Sequence, residues 1–204
     1  GFPAGDWPAH GRLRGQHLLR LPASLPGGNY HFVIEEFALG EIAVATPERQ
    51  FTLPPLAEPL DATFVTADGA TIATLAGIAS REDDATDSPP PPCTSAPLLP
   101  GACSLPLVWR AEAETATSYH VFVHLVDESG NILAQADGVP ANWARPTTGW
   151  LPGEYVVDTH ALTIPADLSP GPLSIRVGLY DPDIGRRLMA GDIDYVTVPV
   201  PAQP

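Results

Sequence analysis

Residues 150–177 read WLPGEYVVDTHALTIPADLSPGPLSIRV: a strand, a turn marked by proline and glycine, and a second strand. In the second strand Leu173, Ile175 and Val177, continued by Leu179, alternate with Ser174, Arg176 and Gly178, the period of a strand with one buried face. The pattern occurs twice. Shifted by 143 positions, Trp7 falls on Trp150, His17 on His160, Leu19 on Leu162 and Pro22 on Pro165. The match continues without a gap through Ala23 and Ala166, Leu25 and Leu168, Gly28 and Gly171, and Ile34 and Val177. A constant offset over an apolar–turn–apolar pattern marks an internal repeat. Residues 15–36 are therefore expected to superpose on residues 158–179 as a hairpin. Proline fixes φ at the strand ends and glycine admits positive φ in the turn.

The repeat divides the chain. Residues 1–54 are expected to be the C-terminal part of a first β-sandwich repeat. Residues 55–204 are expected to be a complete repeat, with a proline-rich loop inserted at 80–104. The boundary falls in PPLAEP, residues 54–59. The first segment holds too few strands to close a sandwich of its own. It is expected to be covered, by the second repeat or by another chain.

The remaining pattern is also that of strands. With 25 prolines in 204 residues, long helices are excluded. Strands are expected at residues 17–21, 30–36, 41–45, 50–53, 60–65, 70–78, 105–111, 118–126, 132–136, 155–164, 173–180 and 195–200. Residues 118–126 (SYHVFVHLV) carry large apolar groups on both faces and are expected to be interior. Asp127 to Asn131 (DESGN) is a hairpin turn, because Gly130 and Asn131 accept positive φ. About eight strands at short spacing in the second repeat indicate an antiparallel β-sandwich, Ig-like or jelly-roll-like.

The formal net charge is −14, and all ten basic residues are arginine. No basic stripe is present to displace counterions, which excludes nucleic acid and disfavours anionic lipid. No run of 18 apolar residues exists, so no segment of this chain is expected to enter a membrane. Cys93 and Cys103 flank a loop of Pro, Ser and Gly and are expected to be bonded, which places the chain in an oxidising, extracytoplasmic compartment.

Three segments carry a resemblance: YHVFVHLVDESGNILAQADGVP (119–140), PTTGWLPGEYVVDTHALTIPADLSPG (146–171) and IRVGLYDPDIGRRL (175–188). Together they resemble a β-sandwich module of bacterial surface proteins. The module occurs in tandem at the C-terminal end of membrane glycosyltransferase-like proteins of the protein-mannosyltransferase type and in other exported proteins. The resemblance covers residues 60–200, with 6–53 as the rear of a preceding copy. It implies a β-sandwich at the cell surface and no catalytic role. The insertion at 80–104 departs from it.

Trp143, Trp150, Tyr155 and Trp7 are the candidate ligand-binding residues. Flat aromatic faces beside Asp, Asn and Arg supply what a sugar needs, apolar stacking with directional hydrogen bonds. The competing reading makes Trp150 a framework plug, since Trp7 is its twin. His120 and His124 share a strand face but stand about 13 Å apart, too far to share one metal ion unless a neighbouring strand brings in Asp158 and His160; half-buried histidines bonded to backbone or carboxylate are the better account. Asp127, Asn131, Asp181 and Asp183 suit turns better than a calcium loop. No nucleophile elbow is present, and no cofactor motif. Arg187 is expected to tie its turn to a carboxylate such as Asp158. The chain is thus expected to be a non-catalytic extracytoplasmic accessory module whose partners are a glycan or neighbouring surface domains. The alternative is a spacer or protein-interaction module without a ligand of its own.

Overall fold

A computed structural model of the chain describes residues 19–81, 90–95, 97–168 and 171–200. These form eleven antiparallel strands: β1 (Gly28–Ile34), β2 (Phe37–Val44), β3 (Leu56–Val65), β4 (Thr71–Ala79), β5 (Gly101–Ala111), β6 (His120–Asp127), β7 (Ile132–Gln135), β8 (Tyr155–Ile164), β9 (Leu173–Asp181), β10 (Arg186–Arg187) and β11 (Val196–Pro199). The one helical element among the described residues is a 3-10 turn, Thr147–Gly149.

Two sheets make the sandwich. One has the order β3-β4-β5-β8; the other runs β10-β9-β6-β7, with β11 also paired to β9. Taking β5, β6, β7, β8, β9 and β11 as the successive core strands, β5 and β8 lie together and face β11-β9-β6-β7, which is the immunoglobulin-type order. Period-two patterning closes the core. Leu105, Leu107, Trp109 and Ala111 of β5 meet Val121, Val123 and Leu125 of β6 and Ile175, Val177 and Leu179 of β9 in one buried cluster. β6 is interior, flanked by β9 and β7. Gly178 lies opposite Phe122, and a Cβ there would come within 2.4 Å of the Phe122 ring; only glycine lets that aromatic lie flat on the sheet.

The turn after β8 differs from the expected hairpin. β8 pairs with β5 and β9 with β6, so the two strands lie in opposite sheets. The inward row of β8 (Val156, Asp158, His160, Leu162 and Ile164) and that of β9 face each other across the core instead of lying side by side. At the 143-residue offset the turn at Ala23 and Ser24 has its counterpart at Ala166 and Asp167, and Gly28 and Gly171 share a backbone φ of 158° and 156°. Trp7 and His17 lie outside the described residues. Residues 19–21 are not in a strand, contrary to expectation.

The cysteine bond forms as expected, but its surroundings differ from a solvated loop. Cys93 and Cys103 are bonded, and both sulfurs' residues are buried in the core cluster together with Leu98. Residues 101–104 belong to β5, not to a loop, and Pro92 bridges Ser104 in parallel. The bridge thus pins the returning insertion beneath one end of the sandwich.

β1 and β2 form a separate two-stranded sheet. The sandwich of residues 55–200 does not cover it: Ile34, Phe37 and Leu39 are all exposed.

Candidate functional site

The aromatic candidates do not form one platform. Trp150 is 1% exposed. It plugs the core, and its indole N–H donates to the Arg145 carbonyl at 2.9 Å, so no face of it is open to a ligand. Tyr155 sits apart, where its backbone N–H donates to the Gln50 carbonyl at 2.7 Å. It borders a broad cleft of about 810 Å³ shared with Arg49 and Phe51. Among the described candidates Trp143 alone is well exposed, at 65%.

Trp143 is held by an unusual backbone. Ala141, Asn142 and Trp143 have φ of 53°, 51° and 70°, three successive non-glycine residues in the left-handed region. Such a conformation costs about 1–2 kcal/mol per residue, and residues so placed cluster at functional sites. Hydrogen bonds hold the turn in place. The Ala141 N–H donates to Asp158 Oδ1 at 2.7 Å, the Trp143 N–H to the Val139 carbonyl at 3.0 Å and the Arg145 N–H to the Pro140 carbonyl at 3.1 Å.

Asp158 organises this corner. It is buried on the inward face of β8. Its Oδ2 accepts from Trp109 Nε1 at 3.3 Å and lies 2.8 Å from His160 Nε2. His160 Nδ1 reaches the Ala136 carbonyl at 3.1 Å, and because a carbonyl only accepts, Nδ1 carries hydrogen. This contact ties β8 to the chain leaving β7, the facing edges of the two sheets. Between those edges opens a cleft of about 370 Å³, lined by Asp137, Asn142, Trp143, Asp158 and His160 among others.

Trp143 also joins an aromatic row on the outer face of β6 and β9. Its ring meets His120 edge-on at 5.3 Å, and His120 meets Tyr180 at 5.4 Å. Tyr180 Oη lies 3.3 Å from His120 Nδ1. Burial, and then the negative charge of Asp137, push the Tyr180 phenol above its usual range, so it keeps its proton at neutral pH. Asp137 lies 3.2 Å from His124 Nε2. The indole lies over Gly138, where a built Cβ would stand in van der Waals contact with its nitrogen at 3.4 Å.

No protein-family model, curated protein or solved structure matches the chain.

Other candidates resolve locally. Asp127 accepts from the Asn131 backbone and side chain, both at 2.8 Å, and these bonds hold its carboxyl below the usual range. Asp181 accepts from the Asp183 N–H at 2.9 Å. Arg187 meets Asp194 at 3.4 Å and stacks on Phe122 at 4.1 Å; its carboxylate partner is therefore Asp194 and not Asp158. Among the described residues no three His, Cys, Asp or Glu side chains gather as a metal site requires.

In the sequence Glu154 stands out only as a carboxylate on the same strand face as Asp158, a pairing that alone does not make a glycosidase. It is fully buried and clamped by two arginines. Arg49 Nη1 donates to its Oε2 at 2.5 Å, Arg145 Nη2 donates to its Oε1, and the Leu151 N–H donates to Oε2 at 3.0 Å. Arg49 also donates to the Ala23 and Gly149 carbonyls. One side chain thus ties the first segment to the sandwich. No motif marks His120, Tyr180 and Asp137 either, though the matching parity of β6 and β9 puts the first two side by side.

Proposed function

We propose that this chain is a non-catalytic, extracytoplasmic accessory module of a larger surface or membrane protein, and that the Trp143 cleft binds carbohydrate. The exposed indole, fixed by a costly left-handed turn above a polar cleft, is the observation that carries the reading. Sugar recognition calls for an aromatic face with a few directed polar groups beside it. Asn142 and Asp137 stand beside this one. The absence of catalysis rests on the engagement of the inward carboxylates: Asp158 is taken up by Trp109, Ala141 and His160, and Glu154 by its two arginines. The Cys93–Cys103 bond supports an oxidising compartment. Among the described residues no helix is long and apolar enough to cross a membrane.

The test is a glycan array on the intact chain, followed by calorimetric titration of the best ligand. Trp143→Ala is expected to weaken binding about 5-fold in a protein that stays folded, since stacking is worth about 1 kcal/mol. An array without a bound glycan, or equal affinity for both proteins, would overturn the reading. The second reading, a spacer that sets one domain at a fixed distance from the next, is favoured by the Arg49–Glu154 clamp, which stiffens the junction between the first segment and the sandwich.

A further inference from the structure

The hairpin β1–β2 has two unlike faces. Its register sets Tyr30 opposite Ile42, Phe32 opposite Gly40 and Ile34 opposite Phe37 on one face. The other face sets Asn29 opposite Ala43, His31 opposite Glu41 at 3.7 Å, and Val33 opposite Ala38, so it mixes polar and small apolar groups. The first face is apolar, yet Ile34 is 53% and Phe37 66% exposed. A lone two-stranded hairpin is marginal in water, and an apolar face of this kind marks an interaction surface.

The chain holds its own template for what covers that face. The 143-residue offset carries Tyr30, Phe32 and Ile34 onto Leu173, Ile175 and Val177. In β9 these positions point into the core against the sheet β3-β4-β5-β8, while the edge of β9 pairs with β6. The sandwich of residues 55–200 cannot serve as cover, because its apolar rows are already closed in one cluster. A second copy of the chain is a poor cover too: two hairpins face to face give two strands per layer, fewer than an independent sandwich needs.

We infer that the apolar face of β1–β2 is half of a second sandwich core, and that its partner is the apolar face of an antiparallel sheet of the β4-β5-β8 kind in an adjacent module, with a β6-like strand on the free edge of β1. This surface is separate from the Trp143 cleft, and either assignment stands if the other fails.

The test joins residues 55–170 directly ahead of residues 28–204 in one polypeptide, which puts β1 where β9 follows β8. Hydrogen exchange across residues 29–36 is expected to slow at least ~100-fold relative to the parent chain, with the product monomeric. Ile34→Asp with Phe37→Asp should abolish that protection in the extended chain. In the parent chain the same pair should leave the thermal midpoint unchanged. Unchanged exchange in the extended chain would overturn the inference. So would a parent chain that is dimeric with its hairpin already protected, which assigns the face to a second copy. A parent midpoint lowered by the double substitution would overturn it as well, since it assigns the face to the chain's own sandwich.

Discussion

Glu154 shows how much one buried charge organises in this chain. Two guanidinium groups and a backbone N–H satisfy a carboxylate that has no access to water. Removing one member of such a set leaves the others buried and uncompensated, at about 3–5 kcal/mol. Glu154→Ala is therefore expected to lower the unfolding free energy by about that amount, read from the urea midpoint. A shift within the scatter of surface substitutions would show that the clamp contributes nothing net. Such a contact is invisible in sequence: Arg49 and Glu154 are 105 residues apart, and no periodicity links an arginine after a strand to a glutamate before one. Trp150 was more legible, since its partner in the repeat already argued for a framework position. Trp143 could be picked out as a flat aromatic beside Asn142. The left-handed turn beneath it could not, because Ala141 and Trp143 are residue types that rarely adopt positive φ.

Among the elements, most strand positions followed from alternation, although residues 19–21 and 50–53 form no strand, and pairing did not follow. β8 occupies the expected residues Tyr155–Ile164, and β9 starts where the pattern begins. That they join opposite sheets depends on which apolar rows fit face to face, a tertiary matter that period two leaves open. The cysteine loop teaches the same lesson. Spacing suggested the bond, but its burial depends on Leu98 and the end of β5. The bridge closes a short loop, worth about 3 kcal/mol in the chain-entropy account. Reduction is expected to lower the denaturation midpoint by that equivalent without abolishing the fold, since both sheets close independently of it. Complete unfolding on adding reductant at room temperature would show that the core depends on the bridge.

For the molecule as a whole, an antiparallel sandwich built from distant strands should fold slowly. β5 pairs with β8 across two crossings between the sheets, and β6 pairs with β9 over a similar span. Loop closure precedes the reward of such contacts, so refolding with the disulfide intact is expected in milliseconds to seconds by stopped-flow fluorescence. Relaxation in microseconds would contradict the topology. The Arg49 side chain carries a further consequence for a chain held at both ends. Tension arriving from the first segment would reach the sandwich by two parallel routes: through the covalent backbone into β3, and through Arg49 into Glu154 at the foot of β8. β8 is bonded along its whole length to β5. Pulling would thus load that long ladder in shear, with its hydrogen bonds sharing the force together, before the edge strand β3 could be peeled away one bond at a time.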